Sequence, residues 1–206
     1  MNWAARHPIL MWTFAWGVTG AALYISGVFN SPRDGPLWVA LVDGAISWSI
    51  AGASTFPHQL RNSPKRWNVP CLVIWALAYF VSFALAGFFG SLSAFGDTIL
   101  RLLLMFMGWS IGAALGAFAS TWLTSYDSKR RRSAIVAGMW LVGFFAGSFI
   151  AFMVSFLAAE LAKLFIGLIV GIPAALVLGF AAGSALGGFV ASAIAISATR
   201  RQLQSI

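Results

Sequence analysis

Charge, histidine and side-chain amides are what this sequence has least of. Only 9% of its residues are charged, with five acids against thirteen Lys and Arg, where a soluble domain carries roughly 25%. A chain of 206 residues with so little polar surface cannot cover itself for water, so a soluble fold is excluded and the bilayer is the solvent. The two histidines, His7 and His58, stand near no cluster of acids at metal-ligand spacing, which excludes a zinc hydrolase site built from local motifs. The single cysteine, Cys71, excludes an internal disulfide and a thiolate metal cluster, and reads as a small packing residue. Gly183-Ser184 is the nearest thing to an intramembrane serine nucleophile, but no neighbouring span offers a His to activate it. No enzymatic activity is expected.

What is present is apolar sequence in long runs. Backbone groups cannot go unpaired in hydrocarbon, so each run must be a helix or a strand of a closed barrel. Barrel strands alternate strictly over about ten residues. These runs are apolar on every face for about 20 residues or more, as a helical span requires. The predicted fold class is therefore all-α, a polytopic transmembrane helical bundle with spans at 8–28, 36–56, 69–90, 98–123, 133–157 and 170–197. The stretch 164–197 is too long for one span and too short for two, and Pro173 predicts the break, with a short interfacial piece before it.

Lys and Arg fall on alternate connections. Arg6, then Arg61, Lys65 and Arg66, then Lys129 to Arg132, then Arg200 and Arg201 share one side, ten of the thirteen basic residues. The opposite turns hold Arg33 with Asp34, Asp97 with Arg101, and Glu160 with Lys163, each close to neutral. The positive-inside rule then places both termini in the cytoplasm. Because the basic residues are dispersed over short loops, they mark topology and attraction to anionic lipid heads, and nucleic acid is not an expected partner.

Internal repetition points to three tandem helical hairpins. Trp48-Ser49-Ile50 recurs as Trp109-Ser110-Ile111, and the same offset of 61 residues carries the start of the first span onto the start of the third. The run from Gly112 to Phe118 resembles the run from Gly183 to Phe189.

Glycine spacing is the strongest mechanical signal. Gly108, Gly112 and Gly116 share a helix face, as do Gly179, Gly183 and Gly187, and Gly143 with Gly147. Small residues four apart let helix backbones approach in a membrane, where apolar burial no longer drives association. These faces are expected to touch helices of this bundle or of other membrane protein subunits. The expected function is accordingly that of a non-catalytic accessory subunit packing laterally through glycine-rich faces in a larger assembly. The alternative is a small channel or transporter for a neutral solute or lipid-like molecule, which Asp43 and the stripe of Ser47, Ser54 and Thr55 suggest.

Asp43 is the ionisable residue placed deepest in a span, and Arg101 is its expected ion-pair partner, in register through the Trp-Ser-Ile alignment. None of the spans contains Asn, Gln or His, which argues against a charged substrate, since a transporter must replace hydration with polar groups at depth. Trp38 and Trp122 fit an interfacial belt, whereas Trp48, Trp109 and Trp140 sit deeper and need hydrogen-bond acceptors or wall a flat ligand such as a quinone, carotenoid or chlorin. His58 reads either as a solvated interfacial residue or as an axial ligand to haem or another pigment. The localisation expected is a bacterial inner membrane or another energy-transducing membrane.

Overall fold

The computed structural model describes residues 6–27, 37–59, 68–92, 98–124 and 129–204, without the side chains of 57–59, 68, 129, 200 and 202–204. Six helices make up this part: α1 Pro8–Ile25, α2 Leu37–Gln59, α3 Asn68–Leu92, α4 Thr98–Thr124, α5 Lys129–Val170 and α6 Ile172–Gln204. No strand occurs among the described residues. All six are long and apolar enough to cross a bilayer, so the chain is an integral membrane protein.

Local sequence explains where the helices begin and end. Pro8 opens α1, where its missing N–H costs nothing. Gly27 closes it with φ +72°, its N–H donating to the Tyr24 carbonyl at 3.1 Å, a left-handed cap that glycine adopts without a Cβ penalty. The expected break between the last two spans needs correction. α5 runs unbroken through residues 158–170, and the turn is Gly171 alone, at φ +86°. Its N–H donates to the Gly167 carbonyl at 3.0 Å while its own carbonyl accepts from Ala175 at 3.0 Å, so one residue caps two helices. Pro173 falls in the first turn of α6, and the segment before it is helix, not a separate interfacial piece.

The helices stand in a ring in chain order, each packed on its neighbours in sequence and α6 returning to α1. Neighbours run in opposite directions, as the pairs Trp12–Thr55 and Thr19–Ser47 show for α1 and α2. The surface is inverted relative to a soluble protein: Phe14, Trp38, Ile46, Leu77, Val142 and Leu157 face outward, while Ala, Gly, Ser and a set of aromatic rings fill the interior. Lipid solvates the large apolar side chains equally well, so close contact selects small residues at the helix seams.

Two seams carry the four-residue glycine ladders, and the partner in each is an adjacent helix of this chain. A Cβ at Gly112 would lie 2.6 Å from the Ser82 Cα and backbone nitrogen on α3, and one at Gly116 2.6 Å from the Ala78 Cβ. On α6, Gly179 and Gly183 press on the α5 backbone at Ala159 and Ser155, and Gly187 presses on Ala151. Gly143 and Gly147 of α5 face Ala195, Ala191 and Gly187 in return. The two seams are built alike. Ser82 donates to the carbonyl of Trp109, three residues before Gly112, at 3.2 Å, and Ser155 to that of Phe180, three before Gly183, at 3.3 Å.

Candidate functional site

At the end of the ring that carries Arg6, Arg130–Arg132 and Arg201, the interior is closed by aromatic rings. Trp12 stands at the centre, its ring centroid 4.8 Å from Trp75, 5.0 Å from Trp140, 5.5 Å from Phe144 and 5.7 Å from Trp48. Phe56 closes the cluster at 5.3 Å from Trp75 and 5.2 Å from Trp140. These are edge and tilted contacts of the kind worth about 0.5–1.5 kcal/mol each beyond area burial. The Trp12 indole donates to the Thr55 hydroxyl at 3.0 Å, which donates on to the Ala51 carbonyl at 2.8 Å. Trp12, Trp75, Trp140, Phe56 and Phe144 are all fully buried here.

Above it, toward the opposite end, the ring encloses a cavity of about 230 Å³ to which all six helices contribute. Trp48 forms the boundary, touching the plug on one side and Trp109 at 5.7 Å and Trp16 at 6.4 Å on the other. The walls are Trp16, Trp48, Trp109, Phe83, Phe106, Phe152, Phe156 and Phe180, with Thr19, Ser148, Ser155 and Ser184 as the polar groups. No ionisable residue lines it among those described. The helices reach it through the C-terminal halves of α1 and α3 and the N-terminal halves of α4 and α6, all remote from the basic ends. Gly87 is exposed at its rim, where an added Cβ would meet nothing within 4 Å.

Most polar groups around the cavity are already engaged. Thr19 donates to the Ala15 carbonyl at 2.8 Å and lies 3.4 Å from the Ser47 hydroxyl. Ser155 bonds the Phe180 carbonyl and lies 3.2 Å from the Ser184 hydroxyl. The indole N–H groups of Trp16 and Trp48, like those of Trp75 and Trp140 in the plug, are buried and have no hydrogen-bond partner.

The residues singled out in the sequence are distributed unevenly about this site. Trp48 and Trp109 line the cavity and Trp140 belongs to the plug. Ser47, Ser54 and Thr55 do not form an open polar stripe, because each donates to a carbonyl of its own helix, to Gly44 at 3.1 Å, Ala51 at 2.8 Å and Ala51 at 2.8 Å respectively. Asp43 and Arg101 are not paired, and the one ion pair among the described residues joins Lys163 to Glu160 at 3.2 Å. The physical reason is the ring order: α3 stands between α2 and α4, which barely meet. Tyr79 of α3 takes the place beside α2, donating to the Ala40 carbonyl at 2.7 Å. The His58 side chain lies outside the described residues, as do Arg33, Asp34 and Asp97. Among the described residues no His, Cys, Asp and Glu group could hold a metal.

Sequence reasoning missed Trp12, Trp16 and Trp75 as interior residues, and Thr19, Ser155 and Ser184 as wall. The available signal was position, since Trp12 and Trp16 lie one helical turn apart inside the first span, too deep for an interfacial belt. No family model, no curated protein and no solved structure matches this chain.

Proposed function

We propose that the protein binds a small, uncharged, lipid-like molecule inside the membrane, as the binding step of a non-catalytic carrier. The observation that carries this reading is the 230 Å³ cavity between all six helices, walled by aromatic rings and bearing no ionisable group among the described residues. A charged or strongly hydrated ligand would lose its hydration there without replacement. The aromatic plug supports a carrier over an open pore. Its tryptophans Trp12, Trp75 and Trp140 are fully buried and fill the interior at the end that carries the basic residues. With both termini cytoplasmic, as the basic ends imply, the cavity belongs to the outer half of a bacterial inner membrane or another energy-transducing membrane. The matching seams of α3–α4 and α5–α6 support the reading of tandem hairpins of common design.

Lateral assembly through the glycine faces has less to rest on, because those faces are covered within the chain. A second surface favours a protein partner instead. α5 is 42 residues long, about 63 Å at 1.5 Å per residue, against a hydrocarbon core of about 30 Å. Even a tilt of about 40° leaves it far too long. Its tip beyond the Glu160–Lys163 pair is apolar and uncovered, with Leu168 98% and Ile169 81% exposed, and it supports docking of another membrane subunit at the outer face.

Equilibrium dialysis of radiolabelled 2-methylnaphthalene against protein in lipid nanodiscs, with empty nanodiscs as reference, tests the binding function. Saturable binding at one site per chain is expected, reduced at least tenfold by Gly87→Trp, which puts a large side chain at the rim from a position with open space. Uptake no greater than by lipid alone would refute the proposal.

A further inference from the structure

Resting on the reading of the α5 tip as a docking surface, the pattern of that surface identifies what docks there. We infer that the tip is covered by the same face of a second copy of this chain, α5 against α5 in parallel, about a two-fold axis along the membrane normal.

The placement of leucine leads there. Between Ile150 and Val170 the leucines of α5 are Leu157, Leu161, Leu164 and Leu168, and all of them are exposed. Their spacings of four, three and four residues gather them within an arc of about 60° at 3.6 residues per turn. Ile150 and Val154 continue the same alternation toward the bilayer, so six successive a and d positions of a heptad are filled by branched aliphatic residues. Ser155 and Ala159, against which Gly183 and Gly179 of α6 are seated, lie on the opposite side of the helix. The leucine stripe is thus the side of α5 turned away from its own seam.

The solvent changes along this stripe. Glu160 and Lys163 form an exposed pair at 3.2 Å, and such charges mark the level at which a helix leaves the hydrocarbon. Leu164 and Leu168 lie beyond it. α1 ends at Ile25, just past Tyr24, whose ring packs on Phe180 at 4.6 Å, and Phe180 meets Phe156 at 5.1 Å. From Phe156 to Val170 α5 continues for about 21 Å at 1.5 Å per residue. Burial of apolar surface drives association in water and does not between helices in lipid, so the tip is where a partner gains most.

The covering helix must therefore be apolar to the same height above the bilayer. A second copy inserted with the same orientation meets that condition, because its α5 rises equally far and runs parallel to the first. The two-fold then sets each leucine layer against its own counterpart. Charge does not oppose the pairing, since Glu160 is neutralised by Lys163 of its own helix.

Cysteine cross-linking of the full-length protein in intact cells tests the inference, with the buried Cys71 left in place. Mild oxidation is expected to convert most of Leu164→Cys, and most of Leu168→Cys, to a disulfide-linked dimer of twice the chain mass. Ile169→Cys is the control, 81% exposed but turned about 100° from Leu168, and should give at least tenfold less. Adding Leu164→Glu to Leu168→Cys should lower the dimer yield at least tenfold, and because Leu164 is exposed in the single chain the unfolding midpoint should stay unchanged. Equal yields at positions 164, 168 and 169 would mark random collision and overturn the inference. Cross-links from 164 and 168 to a protein of different mass would overturn the second copy and leave docking at the tip intact. Thiols at 164 and 168 that form no cross-link, and react with a membrane-impermeant maleimide as fully as the one at 169, would remove the docking reading and this inference with it.

Discussion

At the scale of single residues, the interior is organised by what each buried donor finds. Trp12 is fully buried and its N–H reaches Thr55, so Thr55→Val keeps the shape and removes the acceptor. The expected loss is about 1–3 kcal/mol, the cost of orphaning a buried donor, read as a lower unfolding midpoint in mild detergent. Asp43 and Arg101 give the opposite expectation. They lie on helices separated by α3 and form no ion pair, so a double-mutant cycle of Asp43→Arg with Arg101→Asp should return a coupling below about 0.5 kcal/mol, the additivity seen for distant sites. Recovery of stability in the exchanged double variant would contradict the ring order. The aspartate was legible as the unusual residue of its span. Its partner was not, because register along a helix says nothing about which helix stands beside it.

At the scale of elements, glycine stands in three kinds of position here that sequence spacing alone cannot separate. Gly112 and Gly183 sit against the backbones of Ser82 and Ser155, so a methyl group there forces the seam apart. Gly183→Ala should cost about 1–3 kcal/mol, the range for overpacking a close contact. Gly138 belongs to α5 as well, yet an added Cβ meets nothing within 4 Å. Gly138→Ala is therefore expected to be neutral or to stabilise by up to about 1 kcal/mol through helix propensity. Comparative thermal unfolding of the two variants checks both signs at once. Gly171 is the third case. Its φ of +86° is a conformation that costs a residue with a side chain about 1–2 kcal/mol, so Gly171→Ala should weaken the α5–α6 turn by that amount. The helices themselves were legible because an apolar run of this length has one solution in a bilayer. The boundary near Pro173 was misread because α5 continues past the membrane thickness, and an apolar overshoot looks in sequence like an interfacial segment.

At the scale of the whole molecule, the order of helices around the ring decides where the cavity can be, and the closing contact between α1 and α6 is the part no sequence pattern announced. The glycine ladders on α4, α5 and α6 face adjacent helices of this chain, but their spacing is the same whether the partner is internal or foreign. The α1–α6 contact uses Gly17 against Ala185, Gly20 against Ser184 and Trp16 against Gly188, without the four-residue glycine spacing of the other seams. It also brings Trp16 to the cavity, so an open ring would lose part of the cavity wall. A Cβ at Gly17 would lie 3.3 Å from the Ala185 Cβ, close to the separation of about 3.5–4.5 Å that a disulfide needs. Gly17→Cys combined with Ala185→Cys should therefore cross-link within one chain under mild oxidation. Cys71 is buried and offers little competition. The measurement is migration on a denaturing gel after proteolysis in a loop between the two sites, where the cross-linked chain stays as one band and reduction separates it into two. A paired control, Gly17→Cys with Gly138→Cys on the uncovered side of α5, should give no intrachain product. Cross-linked dimers in place of the intrachain product would mean that α1 meets α6 of another copy, and that the cavity is completed only by assembly.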